Sequence, residues 1–179
     1  KEKMRDQLIE ALGSINGVDY ADATETQKDA WLVDNSDRVL FGAATSNSSS
    51  NDHSTSLATI DNTNDKMSPG VMSLAKRMAK AANPKIRPYK ARTSIGMTDC
   101  YILFVSSLVF RDIRENATFT QANREARERS AGNPLFDSAD LLWDNILIYE
   151  IEDIPTISSS IQCAPSYLCG AQALAQVWA

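Results

Sequence analysis

Histidine is almost missing from this chain: His53 stands alone among 179 residues. A single imidazole cannot build the paired-histidine sites that hold catalytic metals. Cysteine is also scarce, limited to Cys100, Cys163 and Cys169. An odd count without an export signal points to reduced thiols in a cytosol, and Cys163 and Cys169 are too widely spaced for a zinc knuckle. No apolar run approaches the about 20 residues that span a bilayer. Lys1-Glu2-Lys3-Met4-Arg5 opens a charged amphipathic helix, not a signal peptide. A glycine-rich phosphate loop and a nucleophile elbow are absent too. Metal, membrane and common cofactor chemistry are therefore not expected, and no catalytic, cofactor-binding or metal-binding residue is assigned.

What is present is ordinary globular material, with 43% hydrophobic and 23% charged residues. The length suits one domain with a real core or two small ones. Charge is unevenly spread. Residues 68–98 contain Lys76, Arg77, Lys80, Lys85, Arg87, Lys90 and Arg92 and no acid. With a net charge of −5 overall, those seven cations leave −12 for the rest. Such asymmetry fits attraction between opposite patches on neighbouring subunits, or a basic face toward a polyanion; a solvated face is the plain alternative. The basic stretch holds one aromatic, Tyr89, and no recognition motif. Sequence-specific nucleic-acid binding is thus not expected, while non-specific contact with DNA stays open.

Periodicity predicts a helix over residues 1–15, from Met4, Leu8, Ile9 and Leu12. Residues 28–41 read as helix, strand or both. Between 45 and 64, sixteen of twenty residues are Ser, Thr, Asn or Asp. That composition predicts a long mobile loop, ordered only against a neighbour. Ser68-Pro69 is a strong helix start, and Val71, Leu74, Ala75, Met78 and Ala82 form one apolar stripe ending at Asn83-Pro84. A strand is expected over 86–92 and another, buried on both faces, over 101–105. Helices should follow over 108–115, capped by Ser106-Ser107, and over 118–129, where Arg124–Glu128 and Glu125–Arg129 support each other. Gly132-Asn133-Pro134 breaks the chain, residues 145–154 form a strand, and a short strand, a turn at Gly170 and an Ala-rich helix close it. The pattern is that of an α+β domain.

Three constellations could pass for chemistry. Asp52-His53-Ser54 offers acid, base and nucleophile, but triads converge from separate elements. Glu150, Glu152 and Asp153 cluster at a strand end, where charges discourage edge pairing. Cys169 before Gly170 reads best as a buried structural thiol.

Four blocks in order carry a resemblance. They are Lys66-Met67-Ser68-Pro69-Gly70 through Ala82-Asn83-Pro84-Lys85-Ile86-Arg87-Pro88; Tyr101-Ile102-Leu103-Phe104-Val105 with Phe110-Arg111-Asp112-Ile113-Arg114; Asn133-Pro134-Leu135-Phe136 with Trp143-Asp144-Asn145-Ile146-Leu147-Ile148; and Leu168-Cys169-Gly170-Ala171-Gln172-Ala173-Leu174. From about Arg38 to Trp178 the chain resembles tailed-phage major capsid proteins of the podovirus coat-protein group. Ser106-Ser107 stands where that family often has His-Pro, Asn145 where glycine is common, and the first 35 residues match weakly.

The resemblance implies a fragment of the Hong Kong ninety-seven capsid fold, with a spine helix, a mixed sheet and flanking helices. It divides the chain into an N-terminal helix and extended region (1–44), a mobile polar loop (45–67), a peripheral-domain spine helix and strand (68–98) and an axial-domain portion, truncated at its C-terminus (99–179). It implies a non-enzymatic homo-oligomer of hexamers and pentamers in a virion capsid, assembled in the bacterial host cytoplasm, with scaffolding, portal or decoration proteins as partners. Lys76, Arg77, Lys80, Lys85 and Arg87 are then the interface candidates. The alternative is a non-catalytic binding or scaffolding module of phage origin.

Overall fold

In this computed structural model, residues 2–93, 96–129, 141–158 and 161–171 are described. The chain opens with α1 (Glu2–Gly13) and α2 (Glu25–Asn35). A capping box starts α2: Thr24 accepts from the Gln27 N–H, and the Gln27 side chain accepts from the Thr24 N–H at 2.9 Å. The ambiguous stretch from Lys28 is therefore helix to Asn35, and turns follow. Leu32 is its buried anchor, 1% exposed.

Residues 45–64 are not the element-free loop that their composition suggests. They hold a 3-10 turn (Thr45–Asn47) and α3 (His53–Ala58), with His53 and Ser56 buried. Side-chain oxygens supply partners that the backbone would otherwise lack. Asp52 caps α3 by accepting from the Thr55 N–H at 2.8 Å. Asp61 accepts from the Thr63 and Asn64 N–H groups at 2.7 and 2.6 Å. Asp65 gathers the Ala43 N–H at 2.8 Å, the Asn47 amide at 2.9 Å and the Asp61 N–H at 3.0 Å. Gly42, at φ 60°, leaves its missing side chain's space to the Asp65 carboxylate.

The helix α4 (Pro69–Ala81) starts as expected, with Ser68 as N-cap and Pro69 in its first turn. Its buried face is rotated from the predicted stripe. Val71, Met72 and Ala79 are buried, with Ala82 beyond the end, whereas Leu74 and Met78 are only half-buried. The rotation carries Met72 and Ala79 onto the sheet and brings Lys76, one turn after Met72, to the Asp144 carboxylate at 2.8 Å.

The five-stranded sheet is mixed. β1 (Tyr89–Thr93) forms an antiparallel pair with β2 (Gly96–Val105). β3 (Leu141–Trp143) and β4 (Ile146–Glu150) are antiparallel, and β4 lies parallel to β2, Tyr101 opposite Ile146 and Val105 opposite Glu150. β5 (Ile157–Ser158) and β6 (Gln162–Cys163) make a separate two-stranded sheet, and β7 (Tyr167–Cys169) pairs antiparallel with β2. Parallel strands need a crossover. Here α5 (Ser107–Glu115) and α6 (Ala117–Arg129) lie between β2 and β4 in the chain. Ser106 caps α5 by accepting from Val109, and Asn116 accepts from the Thr118 and Phe119 N–H groups.

Phe110, Ile113 and Phe119 from α5 and α6, with Met72 and Ala79, pack on Tyr101, Leu103, Val105, Ile146 and Ile148. β2 is not equally buried on both faces: Ile102 and Phe104 are half-exposed. This large helix-packed core lies on one face; the other carries a smaller cluster around Cys100 and Leu147. The strand expected from Ile86 begins only at Tyr89. Pro88 has no N–H to give a ladder, while the Ile86 N–H donates to Ala79 and its carbonyl accepts from the Tyr101 hydroxyl. At Gly170 the chain passes so close to Arg87 that a side chain would strike the Arg87 carbonyl, which accepts from the Ala171 N–H at 2.8 Å. The break at Gly132-Asn133-Pro134, the block through Phe136, the side-chain pairs Arg124–Glu128 and Glu125–Arg129, and the Ala-rich helix from Gln172 lie outside the described residues or side chains.

Candidate functional site

None of the three chemistry-like constellations forms a catalytic geometry. The Asp52 carboxylate caps α3 and also accepts from the Ser54 hydroxyl at 3.0 Å. Those hydrogen bonds, the Thr55 N–H first, hold its carboxyl below the ordinary aspartate range. His53 turns inward instead, to Tyr20, Glu25 and Phe41. Glu150, Glu152 and Asp153 are exposed around the end of β4. No group of three metal-ligating side chains converges among the described residues. Cys169 is buried, and burial pushes its thiol pKa up, so it is a poor thiolate source. All three cysteines are free thiols. No described helix is long and apolar enough to cross a membrane.

The basic residues divide into two kinds. The Lys76 side chain is only 13% exposed and its ammonium meets both the Asp144 carboxylate and the Asp144 carbonyl. Asp144 and Asn145 have φ of 45° and 59°, the tight turn that joins β3 to β4. Lys76 thus ties α4 to the sheet within one chain. Arg77 and Lys80 on α4, and Lys85 and Arg87 on the segment leading to β1, are exposed. Lys90 extends the same run onto β1 and faces Asp99 across the strand pair.

Two polar assemblies were not singled out from sequence. One is the Asp37–Arg38 pair, 3.0 Å apart, which holds the end of α4: Asp37 accepts from the Asn83 N–H at 2.7 Å and Arg38 donates to the Asn83 carbonyl at 2.7 Å. The Arg38 hydrogen bond, then the Asn83 N–H, hold the Asp37 carboxyl below its usual range. The other surrounds His53, where Glu25 pairs with the buried Lys28 at 2.9 Å and Lys28 lies 4.5 Å from the Tyr20 ring centroid. Helical i,i+3 spacing of Glu25 and Lys28 was the available signal for this pair.

The capsid chain of cyanophage Pam1 shares 31% identity and superposes with a TM-score of 0.70 over 86% of this chain and 42% of its own. The capsid chain of Ralstonia phage GP4, at 19% identity, shares the fold with a TM-score of 0.51 over 75% of this chain and 37% of its own. The present chain therefore spans less than half the length of either. No curated protein matches. The α+β capsid fold implied by the resemblance stands, and the likeness reaches into the first 35 residues. A family model described as phage capsid protein matches residues 2–179, and the chain belongs to that family.

Proposed function

We propose that this chain is a shell-building part of a tailed-phage major capsid protein. It acts without catalysis, assembling with copies of its full-length protein into the hexamers and pentamers of an icosahedral shell around the DNA genome. Assembly takes place in the bacterial cytoplasm. The observation that supports this most is the fold shared with the Pam1 capsid chain over 86% of the residues at 31% identity. In this reading α4 is the spine helix of a peripheral domain spanning 68–98, and 99–179 belong to an axial domain. Residues 1–44 form an N-terminal region, and the polar stretch 45–67 rests against a neighbouring subunit.

Arg77, Lys80, Lys85 and Arg87 meet acidic surfaces of adjacent subunits. Scaffolding, portal or decoration proteins and packaged DNA are the further partners of such a shell. Exposed cations contribute little to a fold, but opposite patches steer association and are screened by salt. The test expresses the full-length protein alone and images it by electron microscopy, beside a variant with all four cations changed to Gln. Shells from the parent are expected. The variant should melt within a few degrees of it, yet give fewer shells with weaker salt dependence. Equal shell yield at every salt concentration would make the four cations a solvated face only. Absence of shells from the parent, under conditions where it is folded, would favour a binding or scaffolding module.

A further inference from the structure

His53 is 6% exposed and lies where three segments meet. Its Nε2 is 3.2 Å from the Tyr20 hydroxyl, before α2. Its Nδ1 is 3.5 Å from the Glu25 carboxylate on α2, too long for a hydrogen bond, and finds no other partner. Its backbone N–H donates to the Asp29 carboxylate on α2 at 2.8 Å. The Phe41 ring meets the imidazole edge-on at 5.9 Å. Lys28 stands beside this group, joined to Glu25 and to the Tyr20 ring. On its own helix, the neighbouring Asp52 carboxylate is occupied by the Thr55 N–H and Ser54 hydroxyl.

We propose that His53 is a proton-sensitive clasp, which holds α3 and the polar segment against α2 while neutral and releases them when protonated. The Tyr20 phenol keeps its proton, since burial first and Glu25 second push its pKa up to about 12. It therefore donates to an unprotonated Nε2. Protonation puts a second N–H opposite that donor, so the hydroxyl must turn away and find another acceptor. It also places a cation in a nearly dry slot beside the Lys28 ammonium. Glu25 offers incomplete compensation because Lys28 already engages its other oxygen. Burial accordingly holds the imidazole below its ordinary pKa of 6.5.

The sign follows from that depression. Above 6.5 both folded and released forms are neutral and the clasp is fully closed. Below it the released form binds a proton that the closed form refuses, so release grows as pH falls, until the ring protonates in place. One proton sets a limit of about tenfold in the opening equilibrium per pH unit. The neighbouring carboxylates act lower: Glu25, held down mainly by the Lys28 hydrogen bond, and Asp52 lie below ordinary values of 4.5 and 3.8.

The test follows two signals in the full chain between pH 7 and 5: the His53 ring resonance by NMR, assigned by its loss in His53→Phe, and amide exchange across α3 corrected for intrinsic rates. The parent should show a depressed ring titration and opening that grows by up to about tenfold per pH unit. His53→Phe should abolish that growth. A ring that titrates at its ordinary value, or the same growth in His53→Phe, overturns the clasp. If His53→Phe does not fold, Tyr20→Phe decides. Loss of the donor to Nε2 must raise the ring's titration point and move the opening with it; an unmoved titration point overturns the proposal.

Discussion

The stretch before Ser68 and the stretch after it are held together by different forces. From α4 onward, a continuous apolar core joins three helices to one face of the sheet. Before it, Ile9, Ile15, Ala23, Leu32 and Phe41 are buried among polar anchors. Three of the four buried polar residues found in the described structure, Lys28, His53 and Ser56, lie there; the fourth is Ser106. Apolar burial is roughly proportional to area and indifferent to pH, whereas buried hydrogen bonds are directional and costly to leave half-made. The stretch after Ser68 should therefore be the less sensitive to pH and the stretch before it the more sensitive.

The largest expected effect tests the stretch after Ser68. Met72 is 1% exposed and packs where α4 meets the sheet. Met72→Ala should cost about 2–5 kcal/mol, from lost transfer energy and the cavity left behind. Leu74→Ala, two positions away on the half-buried flank, should cost less than half as much. Denaturant unfolding of both variants measures the contrast, and equal losses would place the sheet against the stripe read from periodicity.

A smaller loss is expected in the stretch before Ser68. Asp65 accepts hydrogen bonds from Ala43, Asn47 and Asp61, joining the segment after α2 to both ends of the polar stretch. Asp65→Ala should cost about 1–3 kcal/mol by leaving several donors without a partner. The loss should appear as faster amide exchange before Ser68, with α5 and β4 unchanged. Exchange rising equally in β4 would show the two stretches to unfold as one unit.

Acid should separate them as well. Among the described residues, four carboxylates are held below their ordinary range, and all four lie before Ser68: Glu25 by Lys28, Asp37 by Arg38, Asp52 by the Thr55 N–H and Asp61 by the Asn64 N–H, each named by its largest cause. A depressed carboxylate gives stability that is complete above its unfolded value and lost as pH falls through the folded one. The loss therefore begins below about pH 5, near the ordinary values of 4.5 for Glu25 and 3.8 for the aspartates. Limited proteolysis by an acid-active protease should cut before Ser68 first as pH drops toward 3. First cuts after Ser68 would contradict the division.

The same contrast explains what the sequence makes legible. Where apolar burial decides, residue pattern reports structure. The alternation around Ile146 and Ile148, the serine caps of α4 and α5 and the run at Leu103 all lead to elements in place. Where polar side chains decide, composition misleads: Asp52, Asp61 and Asp65 look like the marks of a loop, yet they satisfy backbone N–H groups and build a compact turn-and-helix segment. The rotation of α4 was hidden for another reason. Leu74 and Met72 are both apolar, and which of them is buried is set by the packing of α4 on Tyr101, Leu103, Ile146 and Ile148, residues distant from α4 in sequence. His53 was visible as the lone histidine, but its neighbours converge from distant positions, and one sequence carries no mark of that convergence.

The smallest effect separates cations that look alike in sequence. Lys76 and Lys80 are one turn apart on α4, in the same acid-free stretch. Lys76 is largely covered and paired with Asp144, whereas Lys80 is exposed. Asp144 is itself 47% exposed, so water screens the pair and relieves the carboxylate when its partner is removed. Lys76→Gln should therefore cost only about 1 kcal/mol, mostly through the lost charge-assisted bonds to the β3–β4 turn. Lys80→Gln should stay within about 0.5 kcal/mol of the parent. A double-mutant cycle with Asp144→Asn isolates the coupling, which should be positive for Lys76 and absent for Lys80. If the proposed interface holds, shell yield should show the reverse order, because Lys80 is exposed while Lys76 is largely covered within its own chain. Equal coupling for both lysines would mean that α4 does not rest against the β3–β4 turn as described, and would return Lys76 to the outward basic surface.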